Sequence, residues 1–138
     1  MADYTQNIEL KNNILFVKGL IGGKALKFCF DTGAETNVID NHSSRDILKT
    51  ITITRRTNLR GVGQAANEVL FGKMNEFYFG SRQLEGMETI LIGLDALREA
   101  YDTRIDGMLG FNFLLKGVFC INFTKNKLGI AFSKHNEI

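Results

Sequence analysis

At 138 residues, 44 % of them hydrophobic and none of them proline, the chain has the size and composition of one globular domain around one core; disorder is excluded and no segment reads as an interdomain linker. The formal net charge is only +2, with lysines and arginines scattered rather than striped, so the footprint of a nucleic-acid binder is missing. No apolar run approaches the ~20 residues of a membrane span, and the first six residues lack the regions of a signal peptide, so the expectation is a soluble protein in the cytoplasm.

In chain order, residues 1–7 are polar and read as frayed. Two apolar, β-rich runs follow, Ile14 to Ile21 and Lys24 to Phe30, separated by Gly22-Gly23, and they read as a hairpin. In its second strand the alternation puts Leu26, Phe28 and Phe30 on one face and Cys29 and Asp31 on the other. An aspartate at the end of a buried strand is costly unless it is hydrogen-bonded, paired or protonated. Two readings account for Asp31-Thr32-Gly33: an Asx turn in which the glycine supplies backbone freedom, or a catalytic carboxylate.

Thr36 to Ile39 reads as a short strand, Ser43 to Lys49 as a short helix with a serine N-cap, and Ile51 to Thr54 as strand. Gly61-Val62-Gly63 has strand-like sequence on both sides. No helix follows to receive a pyrophosphate, so it is the tip of a long hairpin rather than a dinucleotide loop. Arg55, Arg56 and Arg60 read as that hairpin's solvated face. Phe77 to Gly80 and Met87 to Gly93 are strands joined by a polar turn near Ser81-Arg82-Gln83, and Leu94 to Tyr101 has the spacing of a helix. Asp106-Gly107 reads as a turn, with a second in-chain catalytic carboxylate as the disfavoured alternative. Val118 to Phe123 and Leu128 to Phe132 close the chain as a hairpin. Cys29 and Cys120 lie in apolar runs and read as small buried hydrophobes, without disulfide or zinc spacing; His42 and His135 read as surface residues. No cofactor or metal site is expected.

Asp31-Thr32-Gly33-Ala34, the glycine-rich hairpin about thirty residues on, and Met108-Leu109-Gly110 followed by Asn112 and Leu114-Leu115 occur in the order found in the retropepsin-like aspartic proteases. The chain resembles that family over roughly residues 12–132, and is closest in character to its short cellular members. The resemblance implies an all-β fold: a closed retropepsin-like barrel with ψ-loops, a flap hairpin and one or two short helices. It also implies an aspartic endopeptidase acting on peptide or protein substrates as a homodimer, since one Asp-Thr-Gly supplies half of a two-carboxylate centre.

On that basis Asp31 is the catalytic acid, with Thr32 bracing the two turns and Gly33 admitting substrate backbone. Ala34 keeps the carboxylate dry, Glu35 meets substrate backbone, and Gly61, Val62 and Gly63 form the flap tip. Val38, Ile39, Val62 and Met108 line apolar substrate pockets. The helix near 94–101 and the closing hairpin depart from the compact viral enzymes, whose termini help to form the dimer sheet, and this leaves the mode of pairing open. A catalytically silent peptide-binding or dimerisation module on the same scaffold remains the alternative, with a β-barrel for small apolar ligands behind it.

Overall fold

The computed structural model describes residues 2–59 and 67–133. The chain enters through β1 (Tyr4–Asn7) and β2 (Glu9–Lys11), then the hairpin β3 (Ile14–Ile21) and β4 (Lys24–Phe30), β5 (Asn37–Asp40) and helix α1 (Arg45–Leu48). The long hairpin β6 (Ile51–Leu59) and β7 (Asn67–Met74) follows, then β8 (Phe77–Phe79), β9 (Arg82–Leu84), β10 (Met87–Ile92) and α2 (Asp95–Tyr101). β11 (Gly107–Leu109), α3 (Phe111–Leu114), β12 (Gly117–Asn122) and β13 (Lys127–Phe132) complete the described fold. The fold is mostly β, with three short helices among the described residues, more than the one or two expected, and none is long and apolar enough to cross a membrane.

The β3–β4 hairpin forms where Gly22-Gly23 allow it: both glycines have positive φ (57° and 80°), the primed-turn geometry that matches strand twist. β4 and β5 are consecutive, yet they do not pair. β11 arrives from about seventy residues downstream and inserts between them, parallel to β4 and antiparallel to β5, which is the ψ arrangement. β10 then adds parallel to β5, and the long sheet runs β6-β7-β10-β5-β11-β4-β3-β8-β9, curled into a half-barrel.

A second sheet, ordered β1-β13-β12, packs across it. Residues 4–7, expected to fray, instead pair with β13 from Tyr4↔Ile130 to Asn7↔Lys127, and Tyr4 packs edge-on to Phe79. The polar turn expected at 81–83 is in part a strand, β9, paired with β8.

The main core lies between the two sheets. Phe113, on α3, is its hub, edge-on to Phe30, Phe77 and Phe79 and tilted against Phe119. Each such pair adds about 1 kcal/mol to simple burial. A smaller cluster on the other face of the long sheet joins Phe16, Val38, Leu94 and Ile105, with Cys29 and Met108 half-buried against it. Cys29 follows the expectation only in part, and Cys120 contradicts it: it stands exposed, because the alternation along β12 turns Phe119 and Ile121 inward and Val118 and Cys120 outward.

Candidate active site

Asp31 is the first residue beyond β4, and its position is fixed on three sides. Its N–H donates to the Leu109 carbonyl of β11 (3.0 Å), its Oδ1 accepts the Gly33 N–H (2.9 Å), and its carbonyl accepts the Ala34 N–H (3.2 Å). The Asx turn is therefore real, and it holds the carboxyl group in place. Asp31 is half-buried, whereas Thr32, Gly33 and Glu35 are exposed, so the turn presents its tip outward.

The turn is locked to α3 from behind. The Phe111 N–H donates to the Ala34 carbonyl (2.8 Å), and the Gly110 N–H donates to Asn37 Oδ1 (2.9 Å). A Cβ on Gly110 would lie 2.6 Å from the Thr36 oxygen and 2.7 Å from that of Ala34, so only glycine permits this approach. Asn37, fully buried, also donates from Nδ2 to the Glu88 carbonyl (3.1 Å) and thereby ties β5 to β10 and to the β11–α3 joint.

Directly paired residues Cys29, Met108 and Val38 form a row across β4, β11 and β5, on the face that the alternation assigns to Asp31. Burial, and then the neighbouring Asp31 charge, push the Cys29 thiol up to about 11. Val38 is buried and Met108 half-buried in the smaller cluster. Ile39, expected to line a substrate pocket, points the other way and is fully enclosed in the main core.

Glu35 lies on an open cleft of about 540 Å³ beside the turn, with Arg55, Lys73 and Glu88 as its other charged groups and Phe71 and Phe111 among its apolar ones. Arg55 lies over the Phe71 ring at 4.0 Å. The hairpin that carries Gly61, Val62 and Gly63 is paired from Ile51↔Met74 to Leu59↔Asn67, with a register shift between Ile53 and Arg55; the three tip residues lie outside the described residues, as do Arg60 and His135.

Asp106 lies in the irregular run that leads straight into β11, not in the turn expected at Asp106-Gly107. Its carboxylate accepts the Lys27 N–H (2.8 Å) and pairs with Arg104 (2.8 Å), anchoring the entry to β11. Sequence reasoning missed Asn37 and a second polar cluster at the far end of β5. There the buried Asp40 pairs with Arg98 (2.6 Å) and accepts the His42 N–H (3.2 Å), while Arg98 also bonds Asp95 and the Ile105 carbonyl. The hydrogen bonds that Arg98 donates to Asp40 and then to Asp95 raise its pKa. The available signal was the placement of Asn37 and Asp40 on either side of Val38-Ile39 in a short strand, where burial demands partners.

A search of the curated proteins finds no match to this sequence. Among solved structures, the chain is similar to a retropepsin-like aspartic protease from Rickettsia conorii, with 16 % identity and a TM-score of 0.57 over 92 % of this chain and 88 % of that one. It is also similar to the retroviral protease-like domain of Ddi1 from Leishmania major, with 15 % identity and a TM-score of 0.55 over 94 % of this chain and all of that one. These likenesses show a retropepsin-like fold. A family model described as aspartyl protease matches residues 17–113, a span that holds the Asp31 turn, the long hairpin and the β11–α3 joint, and the chain belongs to that family.

Proposed function

We propose that the protein is an aspartic endopeptidase whose active centre forms when Asp31 of one chain meets Asp31 of a second. The observation that carries this reading is a single Asp-Thr-Gly turn, pinned to β11 through the Asp31 N–H and open to solvent at Thr32 and Gly33. Amide hydrolysis needs a base for the water and an acid for the carbonyl oxygen, and one carboxylate cannot serve as both at once. Two carboxylates brought into contact share one proton, because both cannot ionise together.

In the paired state the ionised Asp31 takes a proton from water while the water oxygen attacks the carbonyl carbon, and the protonated Asp31 gives its proton to the carbonyl oxygen. The tetrahedral diol then collapses: its hydroxyl proton returns to a carboxylate, the amide nitrogen accepts a proton, and the C–N bond breaks. Thr32 braces the two turns, Gly33 and Ala34 leave room for an extended peptide, and Glu35 meets its backbone. The hairpin tip at Gly61, Val62 and Gly63 covers the peptide and excludes water. Half-buried Met108 offers an apolar surface to its side chains, while Val38, buried beside it, backs that surface from within the smaller cluster.

Purified Asp31→Asn is expected to lose peptide cleavage while keeping the circular dichroism and oligomeric state of the parent. Undiminished cleavage by that variant would remove Asp31 from the chemistry. A folded parent that binds peptides but cuts none would make the chain a silent binding module.

A further inference from the structure

The two adjacent arginines of β6 meet different surroundings. Arg56 pairs with Glu68 (3.3 Å). Arg55 points to the opposite face of the strand, where its guanidinium lies 4.0 Å over the Phe71 ring and makes no ion pair with another described residue. The row that continues from it across the sheet is apolar, since Arg55 is paired with Phe71 and Phe71 with Ile90. In the next row Lys73 stands directly opposite Glu88, so that cation has a carboxylate at its side. Arg55 is therefore the uncommitted cation of the cleft beside the Asp31 turn.

The other wall of this cleft is α3, which contributes Phe111 and Leu115, 52 % and 40 % exposed and one helical turn apart. Large apolar side chains left bare on the wall of a concave cleft mark a surface that a ligand covers. Arg55 and Lys73 are balanced by Glu35 and Glu88, so the cleft has no net charge and selects by pattern. An acid is accepted on the Arg55 side and repelled on the Glu35 side. A guanidinium already held flat on a ring loses little freedom when it takes a carboxylate. Glu35 follows Asp31 by four positions, so the cleft begins within about 14 Å of the carboxylate turn, a span that an extended peptide crosses in about four residues.

We propose that this cleft is a second recognition site for the substrate chain, in which Arg55 takes an acidic side chain outside the stretch being cut while Phe111 and Leu115 take an apolar neighbour of that acid. This rests on the peptidase reading of Asp31, and it names the class of substrate: proteins with an acidic and an apolar residue about four to six positions from the scissile bond. The contact is remote from the reacting atoms, so it acts on binding and is read in KM rather than in kcat.

Peptides sharing one cleaved sequence, with a single Glu walked outward along each flank and then replaced by Lys, provide the test. One exposed ion pair is weak, but this exchange turns an attraction into a repulsion. At one position the Glu peptide is expected to show about tenfold higher kcat/KM than the Lys peptide, with the difference in KM. Arg55→Glu should invert that ratio, and Arg56→Glu, on the opposite face, should leave it as in the parent. An Asp31-dependent parent whose ratio stays near one at every position, or a preference that survives in Arg55→Glu, overturns the role of the cleft and leaves the reading of Asp31 standing. If no peptide is cut, the reading of Asp31 falls, and fluorescence anisotropy with the same peptides, labelled, decides the cleft. Tighter binding of the Glu peptide by about tenfold, inverted in Arg55→Glu, sustains it as a peptide site, and equal affinities overturn it. Hydroxyl-radical footprinting reads the competing occupant: protection of Phe71 and Phe111 that rises with protein concentration in the absence of peptide gives the cleft to a second copy and overturns the proposal.

Discussion

Asn37 is the side chain on which the carboxylate turn depends most. Replacing it with leucine keeps the volume but leaves the Gly110 N–H buried without a partner and the Glu88 carbonyl with the Thr36 hydroxyl alone. The expected cost is about 2–3 kcal/mol, read as a lowered urea midpoint at unchanged slope. Cleavage should fall further than the fraction unfolded accounts for, because Gly110 carries the joint against which the Asp31 turn rests. The Cys29 thiol reports on the same turn, with exposed Cys120 as its reference. With its pKa raised to about 11, Cys29 should alkylate far more slowly than exposed Cys120 near neutral pH. Asp31→Asn removes the neighbouring charge and should speed Cys29 labelling, measured by peptide mass after timed alkylation. The sign for stability follows from linkage. The folded state holds the Cys29 proton more tightly than the unfolded one, so this contribution is complete below the ordinary 9.0 and is lost as pH rises toward 11. Cys29→Ala should flatten that part of the pH–stability curve.

At the scale of elements, the crossing of β11 between β4 and β5 builds the site, and two contacts beyond Asn37 secure it. Phe113→Ala empties the hub of the aromatic core and is expected to cost about 3–5 kcal/mol in chemical denaturation. Arg98→Met strips the buried Asp40 of its partner at the other end of β5, with an expected loss of about 2–3 kcal/mol that should shrink in the Asp40→Asn background. These elements were unequally legible in the sequence. The β3–β4 hairpin could be read directly, because Gly-Gly between two apolar runs is a local signal. The ψ crossing was implied only by the resemblance at Met108-Leu109-Gly110, since periodicity does not say which strands become neighbours. β1 was illegible because its polar residues are strand only by pairing with β13, more than a hundred residues away. Cys120 was misread for a related reason: an apolar run on a one-sided sheet exposes alternate residues, and the sequence does not reveal which face is covered. The Asp40–Arg98 pair is likewise hidden by its separation along the chain.

For the molecule as a whole, the proposed activity depends on protein concentration. On the proposed reading a single chain carries the turn and the hairpin strands beside it, but only half of the acid–base pair. Activity should therefore track the dimer, rising more steeply than linearly with protein concentration near the dissociation constant and linearly above it. The most direct measurement is a mixing experiment, in which parent protein at fixed concentration is equilibrated with a tenfold excess of Asp31→Asn and cleavage is recorded. If each centre needs two intact copies of Asp31, nearly every parent chain is captured by an inactive partner, and the rate should fall to about a tenth. A rate unchanged by the excess would show that one chain cuts alone and would contradict the shared carboxylate centre.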